Sequence, residues 1–141
     1  MPSTTTRSTI TADAALALVA EARSRATELG KAFAMAVVDE SGVLKAFLRM
    51  DGAPLLAIQV AQDKAYTAVG FGMDSGSWYD FIKDDPPLLT GAPTAIDRLV
   101  PFAGGKVLVE DGNVVGAIGV SGGHYSEDEL VAAAAVAAFG S

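Results

Sequence analysis

The chain has 141 residues, half of them apolar, with 17 acidic against 10 basic side chains and a formal net charge of −7. That is the size of one domain with a core of its own, and its negative charge opposes binding to nucleic acid or to an anionic membrane. The absence of cysteine excludes disulfides, thiolate nucleophiles, zinc–thiolate sites and iron–sulfur clusters. The single histidine, His124, excludes any one-subunit metal site built from two or three imidazoles.

Residues 1–10 read as a flexible leader and residues 11–141 as the folded domain. The leader is polar, unlike a secretory h-region, and the longest apolar run, Leu130 to Phe139, is too short to span a bilayer. A cytoplasmic location is therefore the expectation. A helix is predicted from Ala12 to Leu29, with Thr11 as its N-cap, Gly30 as its stop, and Ala15, Leu18, Val19, Ala22, Ala26 and Leu29 on one face.

Phe33 to Val38 and Val43 to Leu48 form a hairpin around Asp39-Glu40-Ser41-Gly42. Pro54 opens the next helix, which runs to about Val69 with Ile58, Ala61, Ala65 and Ala68 as its buried stripe. Asp51 suits the cap of that helix and Arg49 a pair with Asp51. Asp74 to Lys83 reads as a short helix carrying Trp78, Tyr79 and Phe81. Asp84-Asp85-Pro86-Pro87 is expected to be irregular and Gly91 to Pro101 a long excursion. Lys106 to Glu110 and Val114 to Val120 flank a turn at Asp111-Gly112-Asn113. A last helix starts at Ser126, with Ser126 and Glu129 as a capping box, and runs to Phe139. Its body has no polar face, which points to burial against another subunit.

Gly119-Val120-Ser121-Gly122-Gly123 matches the spacing of a nucleophile elbow. However, the only histidine lies three residues beyond Ser121, so the glycines are read as a tight strand-to-helix turn. His124, in that turn beside Tyr125, suits an axial ligand of a haem iron or a general acid/base near neutral pH. Lys64 follows Ala57 and Ala61 at helical spacing, beside the apolar stripe. It suits either a snorkelling lysine or a pocket cation for a propionate or carboxylate.

Ala36-Val37-Val38-Asp39 with Gly42, Arg49-Met50-Asp51-Gly52-Ala53, Lys64-Ala65-Tyr66-Thr67-Ala68, and Gly116 to Gly123 with Asp128 beyond occur in that order. Together they resemble the GlcG/HbpS family, also met as the C-terminal domain of one class of corrinoid adenosyltransferases. The resemblance implies an α+β domain with a five-stranded antiparallel sheet and flanking helices, and a symmetric homo-oligomer burying the alanine-rich helices. It implies a ligand pocket near Lys64, Gly104, Gly105 and the Ser121-Gly122-Gly123 turn. Some members look like haem-binding proteins. Two stretches depart from the family pattern: Lys106-Val107 follows the paired glycines where a proline is common, and Asp74 to Pro101 matches poorly.

The expected function is a small-ligand-binding accessory protein, with haem the leading cofactor. His124 would ligate the iron, Lys64 would meet a propionate, and Tyr66, Phe71 or Trp78 would contact the ring. The alternative is a cofactor-independent enzyme moving a proton on a small organic acid or carbonyl compound, with Lys64, His124 or Asp51 as acid and base.

Overall fold

The structure is a computed structural model and describes residues 1–140. Nine elements follow one another: α1 (Ala12–Glu28), β1 (Ala34–Asp39), β2 (Leu44–Arg49), α2 (Ala57–Phe71), α3 (Ser75–Ile82), α4 (Pro86–Ala95), β3 (Gly105–Glu110), β4 (Asn113–Ser121) and α5 (Tyr125–Ala138). The strands form one antiparallel sheet in the order β2-β1-β4-β3. Four strands stand where the family resemblance implied five. Two hairpins supply them all, and the segment between α2 and β3 is spent on helices α3 and α4. The leader adds one backbone hydrogen bond, from Ile10 N–H to Val115 C=O (3.1 Å), without forming a strand among the described residues.

Alternation along β1 decides how the layers stack. Phe33, Met35 and Val37 face α1 and α5 and build the main core with Leu18, Ala22, Leu108, Ile118, Val120, Val131 and Ala135. Ala34, Ala36 and Val38 face the other way, onto Ala57, Ala61, Ala65 and Ala68 of α2. The second face is built of small residues, so α2 lies unusually close to the sheet. A Cβ placed on Gly119 would stand 2.0 Å from Ala61 C=O oxygen, and one on Gly105 would stand 2.3 Å from that of Lys64. These glycines fix the height of α2, and with it the depth of Lys64.

Several local expectations are replaced by better-satisfied alternatives. The two prolines begin α4 rather than preventing it. Asp85 caps the helix by accepting from Leu88 N–H (3.3 Å), and the prolines occupy first-turn positions that need no amide donor. Asp51 does not cap α2, whose N-cap Leu56 has no side-chain cap. Arg49 donates to Ala53 C=O (3.3 and 3.2 Å), which holds the turn without Asp51. Helix α5 is capped two residues earlier than Ser126, by His124, with Glu127 accepting from His124 N–H (3.1 Å). One side of α5 is covered within the chain by α1 and the sheet, while Leu130 remains half exposed. Among the described residues no helix is long and apolar enough to cross a membrane.

Candidate functional site

A cleft of about 590 Å³ opens between α3, the loop entering β3 and the first turn of α5. Its walls carry the rings of Tyr79, Phe102 and Tyr125, and its polar lining is Asp74, Ser77, Asp80 and Glu129. The volume lies in the range of small-molecule sites, and aromatic walls with a few placed polar groups are their usual composition. His124 does not line the cleft but packs against Tyr125, which does. Its ring centroid is 4.0 Å from that of Tyr125, which in turn lies 6.2 Å from Phe102.

Local structure explains why His124 is there. The Gly122-Gly123 turn takes the chain from β4 into α5, and a Cβ at Gly122 would meet Ala32 C=O oxygen at 2.7 Å. His124 then caps α5, its Nδ1 accepting from Ser126 N–H (3.2 Å) and lying 2.8 Å from Ser126 Oγ. Its Nε2 has no partner among the described residues. The Glu127 carboxylate receives His124 N–H on one oxygen and the Lys31 ammonium on the other.

Behind the Phe102 wall sits a buried ion pair. Lys64 is fully buried, with Nζ 2.7 Å from Asp128 Oδ2 and donating to Val120 C=O (3.0 Å). The Phe102 ring covers it at 5.0 Å. Burial pulls the Lys64 pKa below the usual lysine value and lifts that of Asp128 above the usual carboxylate value, each against the attraction of the other. Desolvation therefore opposes this pair strongly, and its worth lies in what it holds in place. Gly104 completes the niche, since a Cβ there would lie 2.6 Å from Lys64 Nζ.

A second set of charges crosses the floor. Lys106 donates to Asp74 (3.0 Å) and Glu129 (3.3 Å), while the other Asp74 oxygen accepts from Val107 N–H (2.9 Å). The Glu129 Oε1 atom is buried without a partner. Lys106 directly follows the paired glycines and ties two of the cleft's carboxylates together, while Lys83 meets the third, Asp80, at 3.5 Å. Burial depresses the Lys106 pKa, but Asp74 and Glu129 outweigh it and the net shift is upward from 10.5. A group whose folded pKa is raised stabilises the fold below its unfolded pKa and loses that contribution as pH rises through the folded value. The stability difference between the wild type and Lys106→Met should therefore be constant at neutral pH and shrink above about pH 10.5. Urea unfolding of both proteins across pH 7 to 11 measures it.

The other sequence candidates disperse. Gly104, Gly105 and Gly122 surround the Lys64 niche and the His124 turn. Trp78 is buried in a cluster with Ile82 and Ala92, stacked on Phe71 with ring centroids 4.2 Å apart. Tyr66 packs under Arg98, whose guanidinium lies 4.0 Å from the ring centroid, beside a separate small pocket. Asp51 is exposed in the β2–α2 turn, and no hydrogen bond or ion pair among the described residues joins it to Lys64 or His124. Phe102, Tyr79 and the Asp74–Lys106–Glu129 floor escaped sequence reasoning. A signal for Asp128 was present, because a lysine beside an alanine stripe must find a carboxylate if it is buried.

The family model described as "Haem degrading protein HbpS-like" matches residues 10–137. The chain belongs to the HbpS-like family. An uncharacterised 15.0 kDa protein from the dhaT–dhaS intergenic region of Citrobacter freundii is 32% identical over 131 residues, 93% of this chain and 92% of that one. The crystal structure of HbpS superposes with a TM-score of 0.88 at 29% identity, covering 99% of this chain and 96% of HbpS. The crystal structure of a PduOC–haem complex gives a TM-score of 0.87 at 29% identity, covering 94% and 96%.

Proposed function

We propose that this HbpS-like chain is a haem-binding protein that takes the macrocycle into the cleft between α3 and α5, with His124 as an iron ligand. The observation that carries the reading is the juxtaposition of the aromatic-walled cleft with the one histidine, whose ring packs on the wall residue Tyr125 and whose Nε2 is unengaged among the described residues. The relative solved as a haem complex supports the same ligand class.

The residues present fit the haem ring in two respects. Tyr79, Phe102 and Tyr125 offer apolar faces to a flat ring. A neutral imidazole that ligates through Nε2 carries its proton on Nδ1; Ser126 Oγ at 2.8 Å can accept that proton, in exchange for the cap bond that Nδ1 accepts from Ser126 N–H in the free protein. The lining carboxylates disfavour propionates inside the cleft, so the fit is for the ring, with the propionates left to water. Lys64 then acts from behind the wall, because its ammonium is committed to Asp128. Bound haem would supply iron-centred redox and oxygen chemistry, while the chain binds, orients and shields it. The small side chains Ala134, Ala137 and Ala138 on the outer part of α5 suit self-association into a homo-oligomer.

Titration of the purified protein with haemin tests the reading. A saturable Soret change is expected in the wild type, with a different band position in His124→Ala. Phe102→Ala and Tyr125→Ala should each weaken binding about fivefold, the equivalent of about 1 kcal/mol. An identical bound spectrum and affinity in His124→Ala would remove His124 from the site.

A further inference from the structure

The carboxylate of Asp128 has two oxygens with two distinct duties. Oδ2 takes the Lys64 ammonium at 2.7 Å, and Oδ1 accepts from Gly123 N–H at 3.1 Å. Gly123 is the residue immediately before His124, and Asp128 lies in the first turn of the helix that His124 caps. Lys64 is anchored on α2 and on the last residues of β4 through Val120 C=O. The chain of contacts therefore runs from α2 and the sheet, through Lys64 and Asp128, to the backbone that carries the imidazole.

We infer that Asp128, oriented by Lys64, is a positioning residue that holds the Gly123–His124 turn so that the imidazole stands against Tyr125, beside the cleft. This rests on the haem-binding reading for its consequence in the bound state, but not for its consequence in the free protein.

The geometry favours this over a purely stabilising role. A buried pair is costly to desolvate, and its replacement by apolar residues is often neutral for stability. Retention of the pair makes sense if it confers orientation. Gly123 is exposed, so its amide would otherwise bond to water and leave the turn free to move. Glu127 fixes the following amide, that of His124, from the solvent side together with Lys31. Asp128 fixes Gly123 from the protein side. Two successive amides held by two successive carboxylates leave the His124 backbone little freedom.

Two double variants separate orientation from stability. Lys64→Met with Asp128→Leu removes the pair without leaving an unpaired charge, and it also removes the acceptor for Gly123 N–H. Lys64→Met with Asp128→Asn is equally uncharged but keeps a side-chain oxygen for that amide. Both should melt within a few degrees of each other. In the haem-free proteins, Gly123 amide exchange should rise at least tenfold in the Leu variant and stay near wild type in the Asn variant. With haemin, the Leu variant should approach the spectrum and affinity of His124→Ala, and the Asn variant should retain the wild-type spectrum. Adding the Leu pair to His124→Ala should cost nothing more in affinity, since both changes remove one interaction.

Equal Gly123 exchange and equal bound spectra in the two double variants would overturn the inference. If neither variant folds, wild-type exchange decides: slowing of the Gly123 amide by about a hundredfold or more supports the anchor, and an unprotected amide refutes it. If haemin fails to bind the wild type, the functional reading falls, and the inference is still judged by exchange in the free protein.

Discussion

Asp128→Ala should destabilise the protein by about 3–5 kcal/mol, because it strands a fully buried ammonium without its counter-charge. The Lys64 side chain is 0% exposed and its partner 2%, so water cannot replace the lost carboxylate without opening the niche. Val120 C=O remains as one acceptor at 3.0 Å, which limits the loss but carries no charge. For a domain of this length, the change corresponds to a fall in Tm of roughly 10–20 °C. Thermal unfolding at pH 7 reads it directly. A shift below about 3 °C would mean that Lys64 is neutral in the fold or reaches solvent, and either result would contradict the buried pair.

Gly119→Ala should be nearly as damaging, for a steric reason. The new methyl would stand 2.0 Å from the C=O oxygen of Ala61 and 2.6 Å from the amide nitrogen of Ala65. Both are backbone atoms inside α2, so no side chain can rotate away and the helix itself must lift. Overpacking typically costs about 1–3 kcal/mol, and a clash with helix backbone belongs at or above the top of that range. Lifting α2 also raises Lys64 out of its niche. Gly119→Ala should therefore weaken haem binding as well, whereas Gly112→Ala, in an open hairpin turn, should leave it unchanged while paying only for its positive φ of 78°. Circular dichroism melts and haemin titrations of the two variants make the comparison.

The elements were legible wherever one periodicity ran without competition. The stripe of Ala15, Leu18, Val19, Ala22, Ala26 and Leu29 marked α1; the first five are its buried positions, while Leu29 is the half-buried C-cap. The Asp39-Glu40-Ser41-Gly42 turn after β1 and the Asp-Gly-Asn turn before β4 marked the hairpins. Helix α4 was hidden because prolines usually break helices, and their placement at its first turn depends on the Asp85 cap. The family resemblance implied one strand too many, since that count came from relatives and not from the alternation in this chain. His124 was recognisable as an isolated imidazole beside Tyr125, but its capping role was not, because Ser126 is the commoner cap residue.

The site was less legible than the fold because its contacts join distant parts of the chain. Lys64 and Asp128 are 64 residues apart, and Lys106 reaches Asp74 across 32. No local spacing encodes such pairs. Phe102 sits in a loop without periodicity, yet it forms the wall between the cleft and the ion pair. Trp78, the most conspicuous aromatic in the sequence, is spent on packing α3 against α4.

Because the chain contains one histidine, isotopic labelling can identify the iron ligand without mutation. Protein grown with ¹⁵N-histidine, loaded with ferric haem and studied by electron–nuclear double resonance, should show a ¹⁵N coupling to iron that is absent from unlabelled protein. Haem that binds stoichiometrically without that coupling would show that His124 does not ligate the iron, and would contradict the account of this site.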